Sequence, residues 1–326
     1  MSNTLKTIVI GTALTDTSDD VVRTGIAIAK TTGATPWLIN VHSLPDSPAE
    51  IFGAVDGGWI DEYEKALRDK LAQQAQRTGL TGLPGFVPHQ LYSAMGSTYG
   101  EIVELAQRVR ADLIVIGASE GGALHRLFLG STADGVVRKA PCPVLVVRSG
   151  STFPPARVEF PVDLSPLSAS AFRQGLEFLA GLGGGAMETE TLFILNPLEV
   201  SGSLHFTPDQ VERFALDELR RFLVANGARP ETAKVRTGYP WEEILAVLEE
   251  RRPDLVILGT HGRKGFERLM LGSVASAVMH RATCNLLIVP PGARLQQEAE
   301  QELRRERVGA DWSFVSDEAA AAAAAH

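Results

Sequence analysis

The residues best suited to chemistry stand in the C-terminal half. Gly259-Thr260-His261-Gly262 is followed, nine residues later, by Gly272-Ser273-Val274. Glycines let a backbone approach a phosphate closely and adopt φ > 0. Ser273 stands where a helix should begin and reads as its N-cap. The free N–H groups and the dipole of a helix start make an anion site. Arg263, Lys264 and Arg268 add positive charge in the same loop. The chemistry this suits is the holding of phosphoryl groups. A second stretch, Phe160-Pro161-Val162-Asp163-Leu164-Ser165, places a carboxylate where a strand should end. There it can accept hydrogen bonds from a nucleoside. Asp163 also has a purely local role open to it, as a cap of the helix that Ser165-Pro166 opens with Pro at its first position.

Other candidates carry less. Gly181-Leu182-Gly183-Gly184-Gly185-Ala186 matches G-x-G-x-x-A, but it follows a helix and precedes a strand, the reverse of a dinucleotide fingerprint. It reads as a turn. The chain has no G-x-x-x-x-G-K-[ST] loop. Cys142 and Cys284 precede the last strand of each half and read as small core residues. His42 and His261 have no metal-ligand neighbours, so no metal site is expected, and no residue stands out as a catalytic base or nucleophile.

These loops need a frame, and the sequence supplies it twice. Residues 96–147 align without gaps on residues 238–289, with eighteen of 52 positions identical. Among them are Glu101/Glu243, Asp112/Asp254, Gly117/Gly259, Gly130/Gly272, Ser131/Ser273 and Cys142/Cys284. A repeat this long means two globular domains rather than a solenoid. In the first unit strands are expected at Thr7–Thr12, Trp37–Val41, Phe86–Tyr92, Leu113–Ile116 and Val144–Val147. Helices are expected at Asp19–Lys30, Trp59–Gln76 and Gly100–Arg110. The second unit repeats the order, with strands at Val158–Val162, Leu192–Leu195, Lys234–Thr237, Leu255–Leu258 and Leu286–Val289. Its helices are Leu167–Leu182, Pro208–Ala225, Trp241–Arg251 and Val274–His280. Apolar β-branched runs with no polar face suit strands buried on both sides. Strand–helix alternation predicts an α/β fold, two tandem doubly wound, Rossmann-like parallel-sheet domains. The expected domains are 1–148 and 157–292, with a Gly/Ser/Pro linker at 149–156 and a charged, alanine-rich tail at 293–326.

The N-terminal unit departs from the pattern at both chemical positions. Ala13 aligns with Asp163, and Glu120 aligns with Gly262. A carboxylate beside a triphosphate repels it. Gly130-Ser131 survives. With a formal charge of −8 the chain is a poor partner for nucleic acid or an anionic membrane. Two cysteines in 326 residues fit a reducing compartment. Met1–Leu14 lacks a signal-peptide pattern, and no run is long enough to span a bilayer. A cytoplasmic protein is expected.

The motif G-x2-G-x9-G-[ST], lying after the fourth strand and before the last helix of its unit, resembles the nucleotide-binding signature of the universal stress protein family. The resemblance covers residues 4–291, with the nucleotide motif intact only in the second half. It implies that Pro161, Val162 and Asp163 hold base and ribose. It makes Leu195 an apolar wall for adenine, a place equally open to a plain core residue. Gly259, Thr260, Gly262, Arg263, Gly272, Ser273 and Val274 would hold the phosphates. The cofactor implied is ATP, with or without Mg²⁺. The implied role is a nucleotide-dependent adaptor or sensor in a stress response. A slow ATPase or autophosphorylating enzyme at the same site, and a structural member without nucleotide, are the alternatives. The family pairs through its last strands, so Val144–Val147 and Leu286–Val289 are expected to meet within the chain as a pseudo-dimer, with further pairing of two chains as a homodimer left open.

Overall fold

The computed structural model describes residues 5–42, 58–119, 129–183, 187–196, 207–260 and 271–291. The first unit contains β1 (Thr7–Thr12), α1 (Ser18–Thr32), β2 (Thr35–His42), α2 (Gly58–Thr78), β3 (Leu91–Met95), α3 (Thr98–Arg108), β4 (Leu113–Gly117), α4 (Ser131–Lys139) and β5 (Val144–Val147). The second contains β6 (Arg157–Val162), α5 (Pro166–Gly181), β7 (Glu188–Leu195), α6 (Pro208–Ala225), β8 (Ala233–Thr237), α7 (Pro240–Arg251), β9 (Leu255–Gly259), α8 (Ser273–Arg281) and β10 (Asn285–Val289).

All ten strands form one sheet in the order β3-β2-β1-β4-β5-β10-β9-β6-β7-β8. Within each unit the strands are parallel, and β5 meets β10 antiparallel, with Leu145 opposite Leu287. The edges that each unit would leave open thus cover one another. Side chains alternate across this sheet into two apolar cores that run through both units. Ile8, Ile10, Leu145, Leu287 and Ile257 pack with α1, α2, α5 and α6; Val9, Val146, Leu286 and Val256 pack with α3, α4, α7 and α8.

Several repeated identities have structural reasons. Asp112 accepts hydrogen bonds from the N–H groups of Lys6 and Thr7 (2.7 and 3.0 Å), bolting the start of β1 to β4. Asp254 does the same for Ala156 and Arg157 (2.9 and 2.8 Å). Gly25 and Gly175 let α1 and α5 lie close on the sheet: a Cβ at Gly25 would sit 2.4 Å from Ile10.

The third strand of the first unit lies later than the expected Phe86–Tyr92. Gln90 turns its side chain back to accept the Val87 N–H (2.7 Å), and Pro88 opens a short 3₁₀ turn, so pairing with β2 starts only at Leu91. Cys142 and Cys284 are buried thiols whose pKa burial pushes up to about 12, as inert core residues. Among the described residues no helix is long and apolar enough to cross a membrane, and no group of His, Cys, Asp and Glu has the grouping of a metal site.

Candidate functional site at the switch point of the second unit

In a doubly wound sheet the ligand crevice lies beyond the carboxyl ends of the strands where their order reverses. Here the reversal falls between β6 and β9. Those strands pair only at Val158–Leu255 and Glu159–Val256. Pro161 has no N–H to donate and lies beyond that pairing, so the strands part before they end. The first unit keeps one more pair, Ile10–Val115, where Gly11 stands in place of Pro161.

The turn after β6 is defined atom by atom. Asp163 Oδ1 accepts the Ser165 N–H (3.0 Å), and the Asp163 N–H donates to Ser168 Oγ (3.2 Å). Ser165 Oγ accepts the Ser168 N–H (3.1 Å), so Ser165, not Asp163, caps α5. Between them Leu164 holds the left-handed conformation, φ 63°, and Leu14 repeats it at the same place in the first unit, φ 60°. A leucine in that region is uncommon and is held by its surroundings. Asp163 is half-buried just past the carboxyl end of β6.

Across the crevice, β9 ends at Gly259. The Thr260 N–H donates to the Val289 carbonyl (3.1 Å), and the Gly272 N–H donates to the Thr260 carbonyl (2.8 Å). The loop therefore returns to its own start. Gly272, extended at φ −56° and ψ 146°, takes the N-cap position that the sequence suggested for Ser273, and Ser273 is instead the first, exposed residue of α8. The shift by one puts a residue with no side chain at the cap, and the first N–H groups of α8 have no partner within the helix. Val274 follows, half-buried. His261, Gly262, Arg263, Lys264 and Arg268 lie outside the described residues, as does Glu120.

Strand register sorts the base-wall candidates. Val162 pairs with Phe193, as Thr12 pairs with Asn40. Leu195 is therefore the counterpart of His42, and it lies in the core against α5 and α6. The counterpart of Val41 is Ile194, in the core of the opposite face.

In the first unit the equivalent crevice is an open cavity of about 420 Å³, lined by Ala13, Val41, Gly117, Gly130, Ser131 and Arg148 among others. That volume lies in the range of small-molecule sites. Nothing in the sequence singles out Arg148. It is buried, its guanidinium donates to the Met279 carbonyl (2.7 Å), and its N–H donates to Asn285 Oδ1 (2.9 Å), so one wall of this cavity is tied to the second unit. The position in the second unit that repeats Arg148 is Pro290.

The family model described as the universal stress protein family matches residues 4–148 and again 156–290. The chain belongs to this family. A universal stress protein of Mycobacterium tuberculosis is 31% identical over 191 residues, covering 55% of this chain and 61% of that protein. A universal stress protein E homolog of Haemophilus influenzae is 27% identical over 195 residues, 56% of this chain and 63% of that one. The chain thus matches about three fifths of the length of these curated relatives. Among solved structures, a putative universal stress protein from Pseudomonas aeruginosa superposes with a TM-score of 0.64 at 18% identity, covering 91% of this chain and 98% of that one. One from Archaeoglobus fulgidus gives 0.62 at 19%, covering 87% and 98%. At such identities the likeness concerns the tandem fold.

Proposed function

We propose that the second unit binds ATP and that the chain acts as a nucleotide-dependent adaptor or sensor in a stress response. One observation carries the reading: the half-buried Asp163 and the Thr260–Gly272 bridge lie just past the carboxyl ends of the neighbouring strands β6 and β9, at the strand-order reversal. A carboxylate after one strand suits the hydroxyl or amino groups of a nucleoside. A helix start whose first N–H groups have no partner within the helix, after the other, suits phosphate. The equivalent place in the first unit holds an open cavity of about 420 Å³. Gly262 and Arg263 would complete the phosphate loop, with Pro161, Val162, Ile194 and Val274 as neighbours of base and phosphate.

One nucleotide per chain is expected. The first unit keeps the Gly130-Ser131 helix start but has Ala13 in place of Asp163 and Glu120 aligned to Gly262. Its open cavity makes the test a sharp one. Calorimetric titration with ATP, with and without Mg²⁺, should give a stoichiometry near one. A value near two would show that the first cavity takes ATP without the carboxylate, and no heat at all would remove the nucleotide role. Turnover of ATP by the pure protein would convert the reading to a slow ATPase.

A further inference from the structure

The two units differ most on the sheet face that carries α1 and α2. In the second unit the aligned floor positions are Val162, Phe193, Leu195 and Val235, all part of one apolar core. Phe172 and Phe222 close that core ring against ring, 5.5 Å between centroids. The same register places Thr12, Asn40, His42 and Ser93 in the first unit: Thr12 pairs with Asn40 and Asn40 with Ser93. The fold therefore does not require polar residues there.

These groups are only partly used within the protein. Thr12 donates to Gln74 Oε1 of α2 (2.8 Å), and Asn40 donates its amide to the Thr12 carbonyl (2.9 Å). Asn40 Oδ1, both His42 ring nitrogens and Ser93 Oγ are buried without a hydrogen-bond partner among the described residues. Asn40 is 5% exposed. Buried polar atoms are nearly always satisfied, so an unsatisfied cluster asks for an explanation. Burial holds the His42 imidazole below its usual pKa, against the pull of Glu64, which favours the neutral ring with its one donor and one acceptor.

Beside them lies a cavity of about 440 Å³, with Asn40 and His42 on its floor and Leu67, Lys70, Gln73 and Arg77 of α2 as its wall. No carboxylate lines it among the described residues. Arg77 is fixed in place by Asp19, Nε and Nη2 both at 2.8 Å. Asn40 and His42 alternate with Val41 along β2, and Val41 and Ala13 line both this space and the crevice, so the two adjoin at the carboxyl ends of β1 and β2 while α2 walls this one alone.

We propose that the space between β2 and α2 is a second ligand site, for a small organic anion that also carries a hydrogen-bond donor. Its carboxylate or phosphate would meet Lys70 at the wall, and its amide, amine or hydroxyl would reach Asn40 Oδ1 and His42 at the floor. The test uses the full chain with labelled histidine and two probes, L-glutamine for a carboxylate and O-phospho-L-serine for a phosphate. At least one should shift the His42 ring signals in a saturable way. The probe that does so names the anion. Lys70→Glu, on the exposed face of α2, should weaken that probe about fivefold or more. Asn40→Phe with His42→Leu, which copies the second unit, should abolish its binding in calorimetry while ATP titrates as before. The proposal is overturned if neither probe moves His42, or if binding survives both sets of substitutions.

Discussion

At the scale of single residues, Asp163 and Glu159 make opposite uses of a carboxylate. Asp163 sits just past β6 with Ser165 already capping the helix, so removing it spares the cap. Asp163→Ala should weaken ATP roughly tenfold to a hundredfold, the worth of a hydrogen bond to a charged group, with an unchanged melting temperature as the control. Unaltered affinity in calorimetry would reduce Asp163 to a turn residue. The sequence left Asp163 between these two roles because a cap and a ligand contact need the same residue type. Only the Ser165–Ser168 bond separates them. Glu159 is fully buried beneath α7, where Arg251 stands 3.4 Å from its carboxyl but is shared with Glu188 and Glu190. Burial, reinforced by Glu190, pushes its pKa up to about 8. A carboxyl whose folded pKa is raised favours the fold at low pH, and that contribution is lost as pH rises from about 4.5 towards 8. Glu159→Gln should cancel this slope, so its stability relative to the parent should improve by a few kcal/mol between pH 5 and pH 8. Denaturant melts at both values check it; a constant difference would mean that Glu159 is ionised throughout.

Elements were legible in kind and less so in phase. Apart from the polar edge strand β8, the strands of the second unit were visible as largely apolar runs, yet such a run does not say which of its residues faces which layer, because both faces are buried. That is why Leu195 was the expected adenine wall while register gives Ile194 the crevice-side place. A slip of one residue exchanges the two faces of a strand. The pair offers its own check. Both are equally buried, so each change to Ala should cost about 2–4 kcal/mol, but Ile194→Ala should weaken ATP whereas Leu195→Ala should change affinity little. The reverse pattern, read by calorimetry and urea melts, would restore Leu195 to the wall. The late start of β3 had a similar cause: Val87 and Tyr92 look strand-like, but Pro88 and the back-turned Gln90 outcompete the ladder locally. The polar floor under α2 was illegible, because Thr12, Asn40 and Ser93 are neighbours only once three strands are in register.

For the whole molecule, the duplication was plain in the aligned identities, and with it the meeting of β5 and β10. The joint itself is short, with three facing pairs, Val146–Leu286, Leu145–Leu287 and Val144–Ile288. All six side chains are buried. Residues 156–291 expressed alone would leave β10 as a bare, apolar edge. That fragment should self-associate through β10, running as a dimer in light scattering, and Leu287→Lys should return it to monomer. A well-behaved monomer from the unaltered fragment would mean that the joint contributes little.

The direction of that joint fixes where the molecule can be approached. Within each unit every strand points the same way, and the units meet antiparallel through β5 and β10, so the carboxyl ends of β1–β5 and those of β6–β10 emerge at opposite rims of one continuous slab. The Asp163 crevice and the Ala13 cavity are thus two ports with the full strand length between them. A partner docked on one rim can sense one occupant only, and any conversation between the ports must run through the slab, where Arg148 already reaches from the first port to the far end of α8.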